Sequence, residues 1–167
     1  MKPFITGIAL LMIFVSIMLF ESDNYDIRLK YTEVKNTADI ASCSASTFYN
    51  YDLFSNEEIK IFYEEEGLIA VDNIVDLYAN SRKYKLIDKY VYFFNDNHIC
   101  NVYYNRKKII SFHFEYPYLF EDISLKYNKI ISKASIVVTL DAGEAVYHLK
   151  CLTSPKIIRS SGYEYLN

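Results

Sequence analysis

The amino-terminal third of the chain consists of an uncharged apolar stretch followed by a charged segment with a helical repeat. Residues 4–20 contain no charged side chain, and as a helix they are at the short end of what crosses a bilayer. Residues 26–50 contain neither proline nor glycine, and their apolar positions recur at about 100° per residue. The pattern predicts one nearly continuous helix over residues 4–50, which begins inside a membrane.

One face of this helix carries a stripe of apolar residues, and the side chains at the centre of the stripe are small. Alanine occupies the middle and larger side chains the ends, so another element could approach the helix backbone closely. The stripe is either part of the protein's own core or a contact with neighbouring subunits, and the sequence leaves both open. The predicted subunit or packing interface consists of Val34, Ala38, Ala41, Ala45 and Phe48.

A second helical region is predicted from Ser55 to about Asn80. Ser55 and Glu58 have the spacing of a capping box, and an apolar stripe resumes after Gly67. Gly67 is expected to break or kink this region, so the pattern indicates two short helices or one bent helix.

From residue 84 onward the apolar positions alternate with a period of two, which predicts strands separated by short turns. Residues 118–130 show no clear pattern, whereas Pro155 and the Ser-Ser-Gly run at 160–162 indicate a loose carboxyl end. The predicted strands are residues 84–94, 98–104, 108–116, 132–141 and 145–152, with a turn at residues 142–144 before the last. In the fourth of these strands, Ile136, Val138 and Leu140 are expected to face inward.

Helices followed by strands predict the α+β class. We expect an amino-terminal transmembrane helix that continues into a long amphipathic helix, packed on an antiparallel β-meander of about five strands. The predicted regions are a transmembrane anchor at residues 1–21, a helical stalk and second helical region at 22–82, and an extracytoplasmic antiparallel β domain at 83–167.

Charge gives the orientation of the anchor. Lys2 precedes the apolar stretch, and Glu21, Asp23 and Asp26 follow it, so the amino terminus is expected in the cytoplasm and the rest of the chain outside. Residues 4–20 would contact the lipid bilayer. A cleaved signal peptide is the alternative, but the junction lacks the small residues that cleavage requires, which favours an uncleaved signal-anchor.

The sequence contains no recognisable catalytic motif, and we expect neither an enzyme nor a cofactor or metal site. His98, His113 and His148 are far apart in sequence, and the last two are expected on exposed strand faces. Asp141 is expected in a turn, and Glu121 with Asp122 is an ordinary acidic loop pair. The formal net charge of −3 argues against a nucleic-acid surface.

The three cysteines do not form a disulfide framework. Cys43 is expected to be free and off the apolar stripe, and Cys100 to point into the core with Val102 and Tyr104. Cys100 and Cys151 are the only plausible pair, with two buried free thiols as the favoured outcome, because a bridge needs Cα atoms about 4.4–6.8 Å apart.

The sequence of the anchor and of the first turns of the stalk resembles that of a known protein family. Residues 34–45 read Val-x-x-x-Ala-Asp-x-Ala-Ser-x-Ser-Ala soon after the apolar stretch. This arrangement, over residues 4–50, resembles the TadE-like pseudopilins of tight-adherence pilus systems. The chain departs from peptidase-processed pilins, because Gly7 lies inside the apolar stretch and Met12 stands where they have glutamate. Processing at Gly7 is therefore not expected.

The resemblance implies a structural function. The leading hypothesis is a membrane-anchored minor pilin-like subunit of a tight-adherence or type II secretion-like machine, whose partners are other pilin-like subunits or assembly platform proteins. The alternative is a membrane-anchored extracytoplasmic binding or regulatory protein of the cell envelope, whose aromatic sheet recognises a peptide, a glycan or a protein.

Overall fold

The structure, a computed structural model, describes residues 2–82, 88–122, 127–145 and 156–165. In this part of the chain, helices precede strands. The helices are α1 (Lys2–Ser46), α2 (Tyr51–Glu57) and α3 (Glu64–Arg82), and the strands are β1 (Asp88–Phe94), β2 (Ile99–Tyr104), β3 (Lys107–His113), β4 (Tyr118–Asp122), β5 (Tyr127–Ile131), β6 (Ser135–Ala145) and β7 (Lys156–Tyr165).

Helix α1 is continuous from the apolar stretch into the domain, as the sequence predicts. Its 45 residues span about 68 Å at a rise of 1.5 Å per residue. It ends at Ser46, slightly before the predicted end, where the Oγ atom of Ser46 donates a hydrogen bond to the carbonyl oxygen of Cys43.

The prediction that a helix begins at Ser55 is wrong. Helix α2 begins at Tyr51, because the Oδ1 atom of Asn50 accepts hydrogen bonds from the backbone N–H groups of Asp52 and Leu53, each at 3.1 Å. Asparagine caps helices as well as serine does, and Asn50 precedes Ser55 in the chain. Glu58 ends α2 in a left-handed conformation, with φ at 57°.

The expected break at Gly67 is also wrong, because Gly67 lies inside the first turn of α3. The helices α2 and α3 are separated earlier in the chain, by the non-helical residues 58–63, in which Phe62 forms an antiparallel bridge to Tyr49. Gly67 serves packing instead: its missing side chain makes room for Phe93.

Helix α3 runs antiparallel to α1. Its first turn meets the far end of α1, since a Cβ atom on Gly67 would lie 3.7 Å from that of Ala45. Its later part meets the middle of α1, where the hydroxyl group of Tyr78 donates to Oε2 of Glu33 at 3.3 Å. The carboxyl end of α3 therefore points toward the anchor.

Five strands form one sheet in the order β3-β2-β1-β6-β7, with every neighbouring pair antiparallel. The predicted α+β fold, a long amino-terminal helix on an antiparallel sheet, is confirmed. The sheet is not one unbroken meander, however. Residues 118–130, which lack a clear pattern, contain the separate β4–β5 hairpin, and the chain then returns to place β6 beside β1.

Three predictions for the carboxyl end are wrong. Residues 142–144 do not turn; they continue β6, with a register shift between Asp141 and Glu144 that marks a bulge. The Ser-Ser-Gly run lies within β7, where Gly162 is opposite Val138. Asp141 is buried within β6 rather than placed in a turn. Of the predicted last strand, residues 146–152 lie outside the described residues.

The sheet separates two apolar cores. One face, with Ile136, Val138 and Leu140 fully buried as predicted, packs with Phe93 against α1 and α3. The other face is aromatic. Phe94 lies edge-on to Phe114, with ring centroids 5.2 Å apart, in a cluster completed by Cys100, Val102, Phe120, Ile131 and Val137.

The edge strand β3 is buried on one face only in part. Phe114, which follows β3, is buried, whereas Ile110 is 55 % exposed. Ile110 lies opposite the buried Val102, in the same register as Phe112 opposite Cys100, and β3 is an edge strand of the sheet. A register shift follows between Val102 and Tyr103, so that Tyr103 lies opposite Lys108.

Candidate functional site

The most extensive candidate surface is the amino-terminal part of α1. From Pro3 to Phe20 every side chain is exposed, and Phe4 is 73 % exposed. Within the described residues, one helix is long and apolar enough to cross a membrane. The most apolar part of this helix is not buried against the domain. Bare apolar surface of this extent is the property of a single-pass membrane anchor.

The other end of α1 has the opposite environment. Val34, Ala38, Ala41 and Ala45 have no exposed surface and belong to the core shared with α3 and the sheet. Packing within the chain is thus observed for these four, which present no surface to another subunit. Phe48, the fifth predicted residue, lies beyond the end of α1 and is 38 % exposed.

A polar clamp at the end of the domain far from the anchor holds three chain segments together. Oδ2 of Asp96 accepts a hydrogen bond from the backbone N–H of Lys60 at 2.9 Å, and Oδ1 accepts from that of Ala134 at 3.1 Å. Oδ1 of Asn95 accepts from the backbone N–H of Phe62 at 2.9 Å. These two side chains fix the segment between α2 and α3 on the sheet.

A second polar group joins α3 to the sheet. The buried carboxylate of Asp72 forms ion pairs with Lys89 on β1 and with Arg106 in the β2–β3 turn. A buried carboxylate needs such partners, because an unpaired charge in the interior is strongly unfavourable. The pairing fixes where α3 lies along the strands.

A third group lies at the start of α3. The carboxylate of Glu64 accepts hydrogen bonds from the side chains of Asn101 and Tyr103, and Ser111 donates to Oδ1 of Asn101 at 2.6 Å. Burial, together with the hydrogen bond to Glu64, raises the pKa of Tyr103. Burial also raises the pKa of the nearby Cys100 thiol, which keeps that thiol unreactive.

An open cleft of about 630 Å³ lies at the same far end of the domain. Its aromatic contacts centre on His98, whose ring centroid is 5.5 Å from that of Tyr116 and 6.1 Å from that of Phe114. Burial, and secondarily Asp96, raises the pKa of the Tyr116 hydroxyl. The cleft is lined by His98, His113, Phe114, Glu115 and Tyr116.

The cleft offers aromatic rings and hydrogen-bonding groups. Across residues 2–82, 88–122, 127–145 and 156–165, no three histidine, cysteine or acidic side chains are grouped so as to hold a metal ion. His113 is exposed as predicted, His98 is exposed too, and His148 lies outside the described residues. The aromatic rings and hydrogen-bonding groups that line the cleft suit the binding of a ligand.

The cysteines that the structure describes agree with the sequence. Cys43 is free, exposed and on the side of α1 away from the buried stripe, and Cys100 is a free buried thiol. Cys151 lies outside the described residues. Of the acidic pair, Glu121 is exposed, and the side chain of Asp122 is not described.

Sequence reasoning missed the polar groups that position the domain. The residues of the clamp, of the Asp72 ion cluster and of the Glu64 group are far apart in the chain, and each is a common residue type. The one signal available was an acidic residue inside the apolar repeat of α3, at Asp72.

Comparison of the chain with family models, with curated proteins and with solved structures returns no significant match. The assignment of function therefore depends on the chain itself.

Proposed function

We propose that the protein is a membrane-anchored, non-enzymatic pilin-like subunit that supports assembly of a tight-adherence or type II secretion-like machine. The observation that supports this proposal is that the two parts of α1 have different surroundings. The helix is exposed and apolar from Pro3 to Phe20, and its residues from Val34 to Ala45 contribute to the domain core. One rigid helix thereby joins the bilayer to the folded domain, the arrangement that a pilin-like subunit requires.

The proposed orientation places the amino terminus in the cytoplasm and the domain outside. Lys2 flanks the inner end of the apolar stretch, and Glu21 with Asp23 flanks the outer end. The proposed partners are other pilin-like subunits or assembly platform proteins of the same membrane.

Photo-crosslinking in intact cells tests this function. A photoreactive amino acid at the exposed Ile40 of α1 should link the protein to pilin-like or polytopic platform proteins, identified by mass spectrometry. The same group at Ile109, on the sheet edge, is the matched control, because its exposed fraction is similar but it is remote from α1. Partners that are the same at both positions, or that belong to no assembly machine, would contradict the proposal.

The cleft favours a second candidate, an extracytoplasmic binding protein of the cell envelope. Tyr116 and His98 present aromatic surface beside Glu115, a combination that suits a sugar or a peptide. Binding of glycan or peptide libraries to the full-length protein in detergent tests it, with Tyr116→Ala and the exposed, remote Tyr25→Ala as a matched pair. Binding that Tyr116→Ala abolishes and Tyr25→Ala preserves would support this second function.

A further inference from the structure

Strand β3 is an edge of the five-stranded sheet, and its two halves differ. The first half begins with Lys107 and Lys108 and contains the register shift, which leaves Ile109 as the extra residue. Lysine side chains and an irregular register are features by which proteins keep a sheet edge from pairing with another chain. The second half, residues 110–113, has neither feature and pairs with β2 in regular register. This half of the edge is therefore open to another strand.

The hydrogen bonds to β2 show which backbone groups of the open half face outward. The N–H of Phe114 donates to the carbonyl oxygen of His98 at 3.0 Å, so the backbone groups of Phe114 point toward β2. Successive residues of an antiparallel strand alternate in this respect, so the backbone groups of Ser111 and His113 point away from β2. Within residues 2–82, 88–122, 127–145 and 156–165, no backbone group pairs with these two residues on that side. Their N–H and C=O groups can therefore pair with an added strand.

The open half of β3 leads directly into the cleft. His113 ends β3 and lines the cleft, and the next three residues, Phe114, Glu115 and Tyr116, line it too. A strand advances about 3.3–3.4 Å per residue, so a strand paired with Ser111 and His113 brings one of its next residues to Glu115. Backbone pairing along a sheet edge, with a side chain held in an adjacent pocket, is a general mode of peptide recognition.

The charge of the cleft favours a cationic side chain. Glu115 is exposed, and no lysine or arginine is among the described residues that line the cleft. A second carboxylate is close, because Oδ1 of Asp96 accepts a hydrogen bond from the Tyr116 hydroxyl group at 3.4 Å. Carboxylates and the faces of aromatic rings both attract a cation, and carboxylates repel an anion. A lysine or arginine side chain therefore fits the cleft, whereas an acidic one does not.

Strand β3 of a second copy does not fit this edge. Lys89 meets Asp72 and Phe93 meets Gly67, so β1 runs antiparallel to α3 and, like β3, away from the anchor. Antiparallel pairing of two β3 strands would point the two anchors in opposite directions. Parallel pairing would bring Glu115 of one copy toward Glu115 of the other, and these charges repel.

We propose that the protein binds an extended peptide segment of a partner protein, which adds a strand to β3 at Ser111 and His113 and places a lysine or arginine side chain in the cleft. This proposal rests on the second candidate function, ligand binding by the cleft, and names the class of ligand. The exposed Ile110, on the same face of β3 as Phe112, gives the added strand an apolar neighbour. The segment therefore combines an apolar residue within the strand with a basic residue at one end.

Calorimetric titration of the full-length protein in detergent with synthetic peptides tests the proposal. Because an edge can pair with a strand of either direction, the probes are two capped peptides of alternating valine and threonine. One carries lysine at its amino end and the other at its carboxyl end. One of them should bind, and replacing its lysine by norleucine or glutamate should weaken binding several-fold. Equal affinity of the lysine and glutamate peptides, or no binding by either lysine peptide, would overturn the proposal.

Amide hydrogen exchange distinguishes strand addition from binding by the cleft alone. The bound peptide should slow exchange at Ser111 and His113, whose N–H groups face outward, and leave Phe112, which faces β2, unchanged. Of two peptides N-methylated at alternate residues, the one whose methyl groups face β3 should not bind. Unchanged exchange at residues 111 and 113, or full binding by both N-methylated peptides, would overturn the proposal.

Two pairs of variants locate the contacts. Glu115→Gln should weaken binding of the lysine peptide several-fold and leave the norleucine peptide unchanged, whereas Asp26→Asn, at an exposed position of the stalk, should affect neither. Ser111→Pro removes an outward N–H, a change that edge strands tolerate, and Ser111→Ala removes the hydroxyl group alone. Only Ser111→Pro should lose the peptide, with circular dichroism as the check on folding. Wild-type affinity in Glu115→Gln or in folded Ser111→Pro would overturn the proposal.

The outcomes separate this proposal from the functions proposed above. Binding of a glycan that Tyr116→Ala abolishes, without binding of either lysine peptide, would overturn strand addition and retain the second candidate function. Photo-crosslinking at Ile40 tests the pilin-like function independently of the cleft.

Discussion

The ring of Phe93 lies against the backbone of Gly67: a Cβ atom on Gly67 would lie 2.9 Å from Cε1 of Phe93. Phe93 has no exposed surface, so its ring has little room to yield. Because Ala45 packs against the same glycine, this one position lets α1, α3 and the sheet approach together. Glycine stands in a helix here for packing, despite its poor helix propensity.

Gly67→Ala should therefore destabilise the protein. Alanine improves intrinsic helix propensity by about 0.8–1.0 kcal/mol, but overpacking of a filled core typically costs about 1–3 kcal/mol. We expect a net loss in the free energy of unfolding, measured with urea. Phe93→Leu should recover part of that loss in the double variant. A Gly67→Ala variant more stable than wild type would mean that Phe93 moves aside freely.

Ala41→Leu should destabilise the domain by about 1–3 kcal/mol, because Ala41 has no exposed surface and added methylenes must displace the core. Tyr31→Leu is the control, since it places leucine at an exposed position of the same helix. Urea unfolding of both variants gives the comparison. Equal stability of Ala41→Leu and wild type would show that the stripe is loosely packed.

Asp96→Ala should loosen the polar clamp. It removes the acceptors of the Lys60 and Ala134 N–H groups, and a buried donor without a partner costs about 1–3 kcal/mol. Asp96→Asn keeps one carboxamide oxygen and should lose less. Hydrogen exchange should rise at residues 58–63 in Asp96→Ala; unchanged protection there would show that the clamp is not what holds the segment.

Stability should fall at alkaline pH. Burial raises the pKa values of Cys100, Tyr103 and Tyr116 in the folded protein. A raised folded pKa means stability that is present below the unfolded value and lost as pH rises above it, from about 8.5 for cysteine and about 10 for tyrosine. The unfolding midpoint in urea should therefore decrease above about pH 9.

Tyr116→Phe should flatten the part of this alkaline decline that lies above about pH 10, because phenylalanine has no proton to lose. Tyr25→Phe, at an exposed position, should leave the profile unchanged. If wild type, Tyr116→Phe and Tyr25→Phe lose stability equally above about pH 10, the decline is caused by titratable groups other than Tyr116.

The anchor should remain attached, with the domain outside. Mass spectrometry of the membrane-extracted protein should find residues 1–20 present, and an impermeant maleimide should label the exposed Cys43 in intact cells. With Cys151→Ser in both proteins, Cys43→Ser, which retains the buried Cys100, should be unlabelled under the same conditions. A mature protein that begins near Ile8 or Asp23 would contradict the uncleaved anchor.

The sequence alone determined the elements whose signal is local and repeated. The uncharged stretch and the helical period predicted α1 and its buried face, and the alternation in residues 136–140 predicted the inner face of β6. In both cases one physical requirement, burial of one side of a regular element, is repeated over many residues, so the pattern is readable without knowledge of the partner.

Tertiary structure decided what depends on distant partners. Gly67 looked like a break because a glycine's local preference was visible and Phe93, its neighbour in space, was not. Residues 160–162 looked loose, yet they form an edge strand because β6 supplies their hydrogen-bond partners. The Asp96 clamp and the Asp72 ion cluster join residues far apart in the chain, so their geometry exists only once the sheet and the helices have packed.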